Sequence, residues 1–268
     1  MWNGQRVSVI LMTYAERDSI RATIEGFVAT GVVDEVLVVN NNAQAGTSEE
    51  VAQTSAREIH EPRQGYGWAS RRGLAEATGE LLVLAEPDGT FLPNDIVKLL
   101  AYSTDCDAVF GTRTTRELIW RGANMDALLK WGNWAVAKLV EVSFNTSHLS
   151  DVGCTYKLLR RPLAQQLLPH LKVGDSHFGP ELMLGVITSG ARFVEVPVNY
   201  LPRVGTSAVT GDRATAVRLG LQMISLIVRY RLRTLGRPRP RPPARTVGGA
   251  VESVWRGGDP LAPRSPGP

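Results

Sequence analysis

The chain has 268 residues, 43% of them hydrophobic, which suits one large globular α/β domain with or without a tail. Its net charge is +4, but the segment from Gly236 onward carries six Arg against two acidic residues and accounts for all of it. Residues 1–235 are therefore balanced, which argues against a basic body that binds nucleic acid.

No apolar stretch approaches bilayer-spanning length and no charged-then-apolar leader opens the sequence. The expected location is cytoplasmic, with peripheral contact on the inner face of the cell membrane as the alternative. Cys106 and Cys154 lack metal-ligand spacing and are expected as buried thiols. Residues 7–11 read as a first strand, and Met12-Thr13-Tyr14-Ala15-Glu16 as the loop into a helix capped near Asp18. Residues 35–39 are a second strand, stopped by Asn40-Asn41-Asn42 and the turn pair Gly46-Thr47 before a polar helix. A short strand at 57–60 precedes the loop Glu61-Pro62-Arg63-Gln64-Gly65-Tyr66-Gly67 and a helix from about Trp68 to Ala77. Strands alternating with helices predict a doubly wound, mostly parallel sheet with helices on both faces.

Residues 81–85 are five apolar residues in a row, the pattern of a strand buried on both faces. Pro87 cannot donate to a ladder, holds Glu86 extended, and is followed by the turn pair Asp88-Gly89. Glu86 and Asp88 therefore fall at the carboxyl edge of the sheet, where open α/β folds bind ligands. Two carboxylates so placed suit Mg²⁺ or Mn²⁺ held against a diphosphate, because hard cations take oxygen ligands. Taken alone, the segment fits as well with Asp88 capping the helix near Pro93 and Glu86 solvated.

Further on, residues 96–101 continue a helix and 107–111 form a strand leading to Thr112-Arg113. Apolar residues recur at helical spacing from Trp120 to Phe144, with three Trp among them. Residues 192–200 alternate like a late strand, and a loop follows through Arg203 to Ser207. Residues 213–233 read as an amphipathic helix with Arg218, Arg229, Arg231 and Arg233 near its ends, suited either to a lipid surface or to docking on the body. The expected organisation is a domain over 1–212, this helix over 213–235, and a disordered Pro/Arg-rich tail over 236–268. Gly65-Tyr66-Gly67 neither completes a dinucleotide fingerprint nor follows the first strand, and no phosphate loop, nucleophile elbow or metal-spaced His pair is present.

The order and spacing of these pieces across 7–207 resemble family 2 glycosyltransferases of GT-A fold. The resemblance is strongest to the branch of dolichyl-phosphate mannose synthases and bacterial polyprenyl-phosphate glycosyltransferases. It rests on Val9 to Glu16, Gly46-Thr47, Gly65 and Gly67 with Gly73 and Gly79, Glu86-Pro87-Asp88, Asp151 to Tyr156, Glu195-Val196-Pro197, and Arg203 to Ser207. The resemblance implies inverting transfer from a UDP- or GDP-linked sugar, with Glu86 and Asp88 carrying the metal and Asp88 and Arg203 the catalytic pair. It places Thr13, Tyr14, Glu16, Asn41, Arg63, Asp88, Arg203 and Ser207 on the donor. Arg113, Lys130 and Asp151 are the acceptor candidates. The implied acceptor is a polyprenyl phosphate at the membrane surface; a glycan or small-molecule hydroxyl is the alternative, with Asp151, Asp175 or Glu181 as its base, and a non-catalytic nucleotide-sugar binder is a third reading. The chain departs from the family at Met12 and Ala15, at Asn40 and Asn41 where paired Asp is usual, at Glu86 in place of Asp, and at Ala208 in place of Lys.

Overall fold

A computed structural model describes residues 1–123, 127–205 and 213–236. Ser207, Ala208 and almost all of the expected tail lie outside them. Seven strands form one sheet: β1 (Val7–Thr13), β2 (Glu35–Asn40), β3 (Arg57–His60), β4 (Leu81–Ala85), β5 (Ala108–Thr112), β6 (Lys157–Arg160) and β7 (Phe193–Pro197), in the order β3-β2-β1-β4-β6-β5-β7. Every pairing is parallel except those of β6, which runs antiparallel to both β4 and β5. The expected doubly wound, mostly parallel α/β sheet is the one observed.

The strand β6 is absent from the sequence reading. Its four residues, Lys157-Leu158-Leu159-Arg160, begin and end on cations, so no apolar run advertises it. Its two leucines face opposite sides of the sheet and join the two cores separately. The central strand β4 divides the same way: Leu82 and Leu84 belong to one core, and Leu81, Val83 and Ala85 to the other. All five are buried, and each large side chain there contributes roughly 1.5–3 kcal/mol relative to exposure.

Eight helices complete the described chain: α1 (Arg17–Ala29), α2 (Thr47–Ala52), α3 (Tyr66–Glu76), α4 (Ile96–Tyr102), α5 (Ala127–Phe144), α6 (Arg161–Leu167), α7 (Phe178–Ser189) and α8 (Arg213–Thr234). Residues of α1 and α4 pack into one core, and residues of α3, α5, α6, α7 and α8 into the other. The expected cap at Asp18 is not observed: α1 begins one residue earlier, and Asp18 pairs with Arg17 within the first turn. The Trp-rich helix starts at Ala127, and Trp120 instead bridges to Tyr200 through its backbone N–H. Of the two cysteines, Cys154 is buried and Cys106 is partly exposed.

Helix α8 docks on the body through Met223, Leu226 and Ile227, packing against α5 and α7. Its other side leaves Leu221, Ile224, Val228 and Leu232 exposed. No helix among the described residues is long and apolar enough to cross a membrane. Parallel pairing sends the carboxyl ends of β1, β4, β5 and β7 to one edge, and the antiparallel β6 is entered from that same edge. The loops after four strands and the approach to the fifth therefore gather in one place.

Candidate functional site

The turn after β4 is fastened from two sides. Ser19 Oγ on α1 donates to the Pro87 carbonyl at 2.6 Å. On the other side, Leu201 N–H donates to the Thr90 carbonyl and Val204 N–H to the Asp88 carbonyl, each at 2.9 Å. Gly89 takes φ +78°, and a Cβ there would stand 3.1 Å from Val204, so the two segments approach where glycine alone fits without strain. This backbone zipper carries Arg203 across the acidic turn.

Asp88 is fully buried. Its Oδ1 accepts from Thr90 N–H at 2.9 Å and Thr90 Oγ at 2.6 Å. Its Oδ2 is buried and receives no hydrogen bond, although Arg203 Nη2 lies 2.5 Å away. The contact is charge against charge without an aligned N–H. The same nitrogen donates to Glu86 Oε2 at 3.1 Å, and Nη1 lies 3.9 Å from Glu16 Oε1. One guanidinium thus serves three carboxylates. Burial, reinforced by the neighbouring Asp88 charge, pushes the Glu86 carboxyl up to about 8.

Such a site fits a divalent cation: two carboxylates converge on a spot now held by a shared positive group, and one buried oxygen lacks a donor. Among the described residues no cluster of three or more His, Cys, Asp or Glu is positioned to hold a metal, so the remaining ligands would come from diphosphate and water.

The residues expected on the donor fall on the same edge but differ in freedom. Glu16 Oε2 accepts from Tyr14 N–H at 2.8 Å, Ala15 N–H at 2.9 Å and Thr13 Oγ at 3.3 Å, so it organises the β1–α1 loop and presents only Oε1 outward. Thr13 is buried and the Tyr14 ring stands exposed at the rim. Asn41 is fully engaged: its Nδ2 donates to the Glu61 and Arg63 carbonyls, and its Oδ1 accepts from Gly65 N–H and the Gln64 amide. It clamps the 61–65 loop. Arg63 pairs with Glu61 at 2.8 Å and stacks on Trp68, its guanidinium carbon 4.1 Å from the ring centre. Ser207 lies outside the described residues.

The acceptor candidates Arg113 and Asp151 form one unit. Asp151 is fully buried and accepts from Arg113 Nε at 2.8 Å, Arg113 Nη2 at 3.0 Å, Arg113 N–H at 3.1 Å and Gly153 N–H at 3.0 Å. Burial works against its charge, but Arg113 prevails and holds its carboxyl below the usual range. Lys130 sits half-buried on α5, one turn before Asn133, which a Cβ on Gly153 would meet at 2.8 Å with Arg113 Nη2 at 3.0 Å. Sequence reasoning missed Asn133 and Tyr66. The Tyr66 phenol is raised by burial and then by Glu86, the mark of a ring close to the acidic turn. Neither stands in a pattern that spacing alone would single out.

A model of the family described as "Glycosyl transferase family 2" matches residues 8–168, more than half of the chain. An uncharacterized glycosyltransferase of Mycobacterium tuberculosis is 30% identical over 215 residues, covering 78% of this chain and 92% of that protein. The polyprenol monophosphomannose synthase of Mycolicibacterium smegmatis is 26% identical over 233 residues, covering 78% and 82% respectively. Among solved structures, glucosyl-3-phosphoglycerate synthase from Mycobacterium tuberculosis, in complex with Mn²⁺, UDP and phosphoglyceric acid, superposes with a TM-score of 0.65 at 15% identity, over 85% of this chain and 79% of that one. That likeness concerns the fold.

Proposed function

The chain belongs to glycosyl transferase family 2, and from that premise we propose inverting transfer of a sugar from a UDP- or GDP-linked donor to a polyprenyl phosphate at a membrane surface. Glu86 and Asp88 would hold Mg²⁺ or Mn²⁺ on the donor. The observation that carries this reading is the buried, donorless Asp88 Oδ2 with Arg203 suspended over it. A bound divalent ion supplies neutralisation of the charge that develops on the departing diphosphate. Backbone bonds of its neighbours carry Arg203 over the turn, and its guanidinium, which now donates to Glu86, would turn from the carboxylates to a phosphate oxygen. Glu16 shapes the loop beneath the nucleotide, and the exposed Tyr14 ring offers a face to the base.

The acceptor half rests on which bases the site leaves open. A phosphate acceptor, largely a dianion above pH ~6, attacks without a general base. A hydroxyl acceptor needs one. Asp151 is saturated by Arg113, and Glu181 accepts N–H bonds from Lys172 and Val173, so of the three candidate bases only Asp175 stays exposed and open. Arg113, oriented by Asp151, and Lys130 supply positive charge on the acceptor side.

Exposed apolar side chains on two neighbouring helices support a lipid acceptor. Trp131, Trp134 and Val142 on α5, together with Leu221, Ile224, Val228 and Leu232 on the adjoining α8, stand exposed, with Arg218 and Arg229 among them. An apolar face flanked by arginine suits a helix pair lying in the lipid interface. The naming of one relative as a polyprenol monophosphomannose synthase supports the same acceptor class.

The test is to incubate the full chain with labelled UDP- and GDP-sugars and vesicles containing polyprenyl phosphate. Label is expected in a lipid-linked, acid-labile phosphodiester. Label transferred only to glycan hydroxyls, or to nothing, would overturn the acceptor assignment.

A further inference from the structure

A cavity of about 330 Å³ lies between the loop that precedes α7 and the last turns of α8, and no residue of the acidic turn lines it. Lys172, Arg229 and Arg233 line it. Among the described residues none of the three has a carboxylate within ion-pairing distance. Unpaired cations that converge on one hollow repel one another unless an anion joins them. Of the two carboxylates on its wall, Glu181 is turned inward, bonded to the Lys172 and Val173 amides at 2.8–3.1 Å, and Asp175 is exposed.

A second observation points the same way. His177 lines this cavity, and its Nδ1, shut from water, has no hydrogen-bond partner. Buried polar atoms are nearly always satisfied, so an orphan in the wall of this cation-lined hollow marks a wall that is incomplete as it stands. Burial lowers the His177 basicity.

We propose that this cavity binds a phosphate group, held by Lys172, Arg229 and Arg233, with the His177 ring in its wall. Three cationic side chains match the several oxygens of a phosphate better than the two of a carboxylate. The cavity has room for a phosphate and a few attached atoms. Two sources share that chemistry: a free phosphorylated small molecule, and the headgroup of an anionic lipid lying against α8. Its wall includes Gly174, whose carbonyl accepts from Gly67 N–H at 2.7 Å and Trp68 N–H at 3.1 Å. An occupant therefore leans on the loop that also carries Tyr66 toward the acidic turn.

The experiment uses the full chain without sugar donor, so its outcome is independent of the transferase reading. Inorganic phosphate is titrated while the His177 ring signals are followed by NMR, and flotation is measured on phosphatidylcholine vesicles with and without phosphatidic acid. The variants are Lys172→Gln/Arg233→Gln, both exposed, and a charge-matched control, Arg21→Gln/Arg116→Gln, exposed and outside both the cavity and the α5–α8 face. A saturating His177 shift weakened about tenfold in the first pair and kept in the control supports the site with a free phosphate as its source. The same pattern in flotation alone supports the site with a headgroup as its source. No response to either probe, or equal loss in both pairs, overturns the proposal.

Discussion

Two buried aspartates at the same sheet edge each face an arginine, and the two pairs are built to opposite ends. Asp151 and Arg113 meet side by side in a bidentate pair, and four N–H groups satisfy the carboxylate. Asp88 shares Arg203 with Glu86 and Glu16, and its Oδ2 has charge beside it but no hydrogen bond. The first pair is a fixture of the fold. The second leaves a buried carboxylate oxygen beside a charge without a hydrogen bond, and we propose that a divalent cation displaces that charge. Burial of a carboxylate therefore does not by itself distinguish structure from chemistry; the completeness of its hydrogen bonding does.

The largest effects should separate the pairs cleanly. Asp151→Asn leaves the Arg113 guanidinium buried without its counter-charge, and urea unfolding should show a loss of about 3–5 kcal/mol. Asp88→Asn keeps Oδ1 and its Thr90 bonds and relieves repulsion with Glu86, so its unfolding curve should match or exceed that of the native chain. Its transfer rate should nonetheless fall by at least about a hundredfold. Equal destabilisation by both substitutions would break the comparison.

Arg203→Gln sharpens it. With the competing cation gone, Mn²⁺ alone should bind a few-fold tighter by titration calorimetry, while the nucleoside diphosphate should bind about tenfold more weakly. Weaker binding of both would show that Arg203 holds the carboxylates in place rather than waiting over them.

The smallest effect is in pH, and the two sites carry opposite signs. Glu86 has its folded value raised from 4.5 to about 8 by burial and Asp88, so the folded chain binds more protons there than the unfolded one. Stability from this group is therefore withdrawn as pH rises from about 4.5 to about 8. Asp151 is lowered from 3.8, so its contribution is present above that value and lost as pH falls through the folded value. In chelator, the melting temperature of the native chain should carry a downward slope from Glu86 between mildly acidic and mildly alkaline pH. Glu86→Gln should flatten it. An unchanged slope in that variant would contradict the assignment.

Much of this edge was legible from residues alone, for reasons particular to each segment. The continuous apolar run of β4 and the break at Pro87 announced a buried strand ending on carboxylates, because both signals are local. Arg203 was legible as a loop cation suited to phosphate, but its approach to Asp88 was not, since the backbone bonds that bring the two together join residues far apart in the chain. The Arg113–Asp151 pair, 38 positions apart, has no local mark at all. Asn41 was expected to face the nucleotide, yet its amide is fully engaged in the 61–65 loop, a role set by contacts some twenty positions away. The strand β6 was hidden by its terminal cations, one of which, Lys157, is buried against the Cys154 carbonyl and over the Phe110 ring. Periodicity finds segments whose chemistry matches their burial, and it passes over a lysine that the fold buries.

The central claim is that Asp88 and Glu86 form a divalent-cation seat completed by a nucleoside diphosphate. Calorimetric titration of Mn²⁺ into the full chain, with and without UDP or GDP, on native protein and on Asp88→Asn, tests it most directly. Tight Mn²⁺ binding is expected only when the matching diphosphate is present, and it should be lost in Asp88→Asn with the unfolding curve intact. Diphosphate binding indifferent to metal, or Mn²⁺ binding that survives in Asp88→Asn, would contradict it.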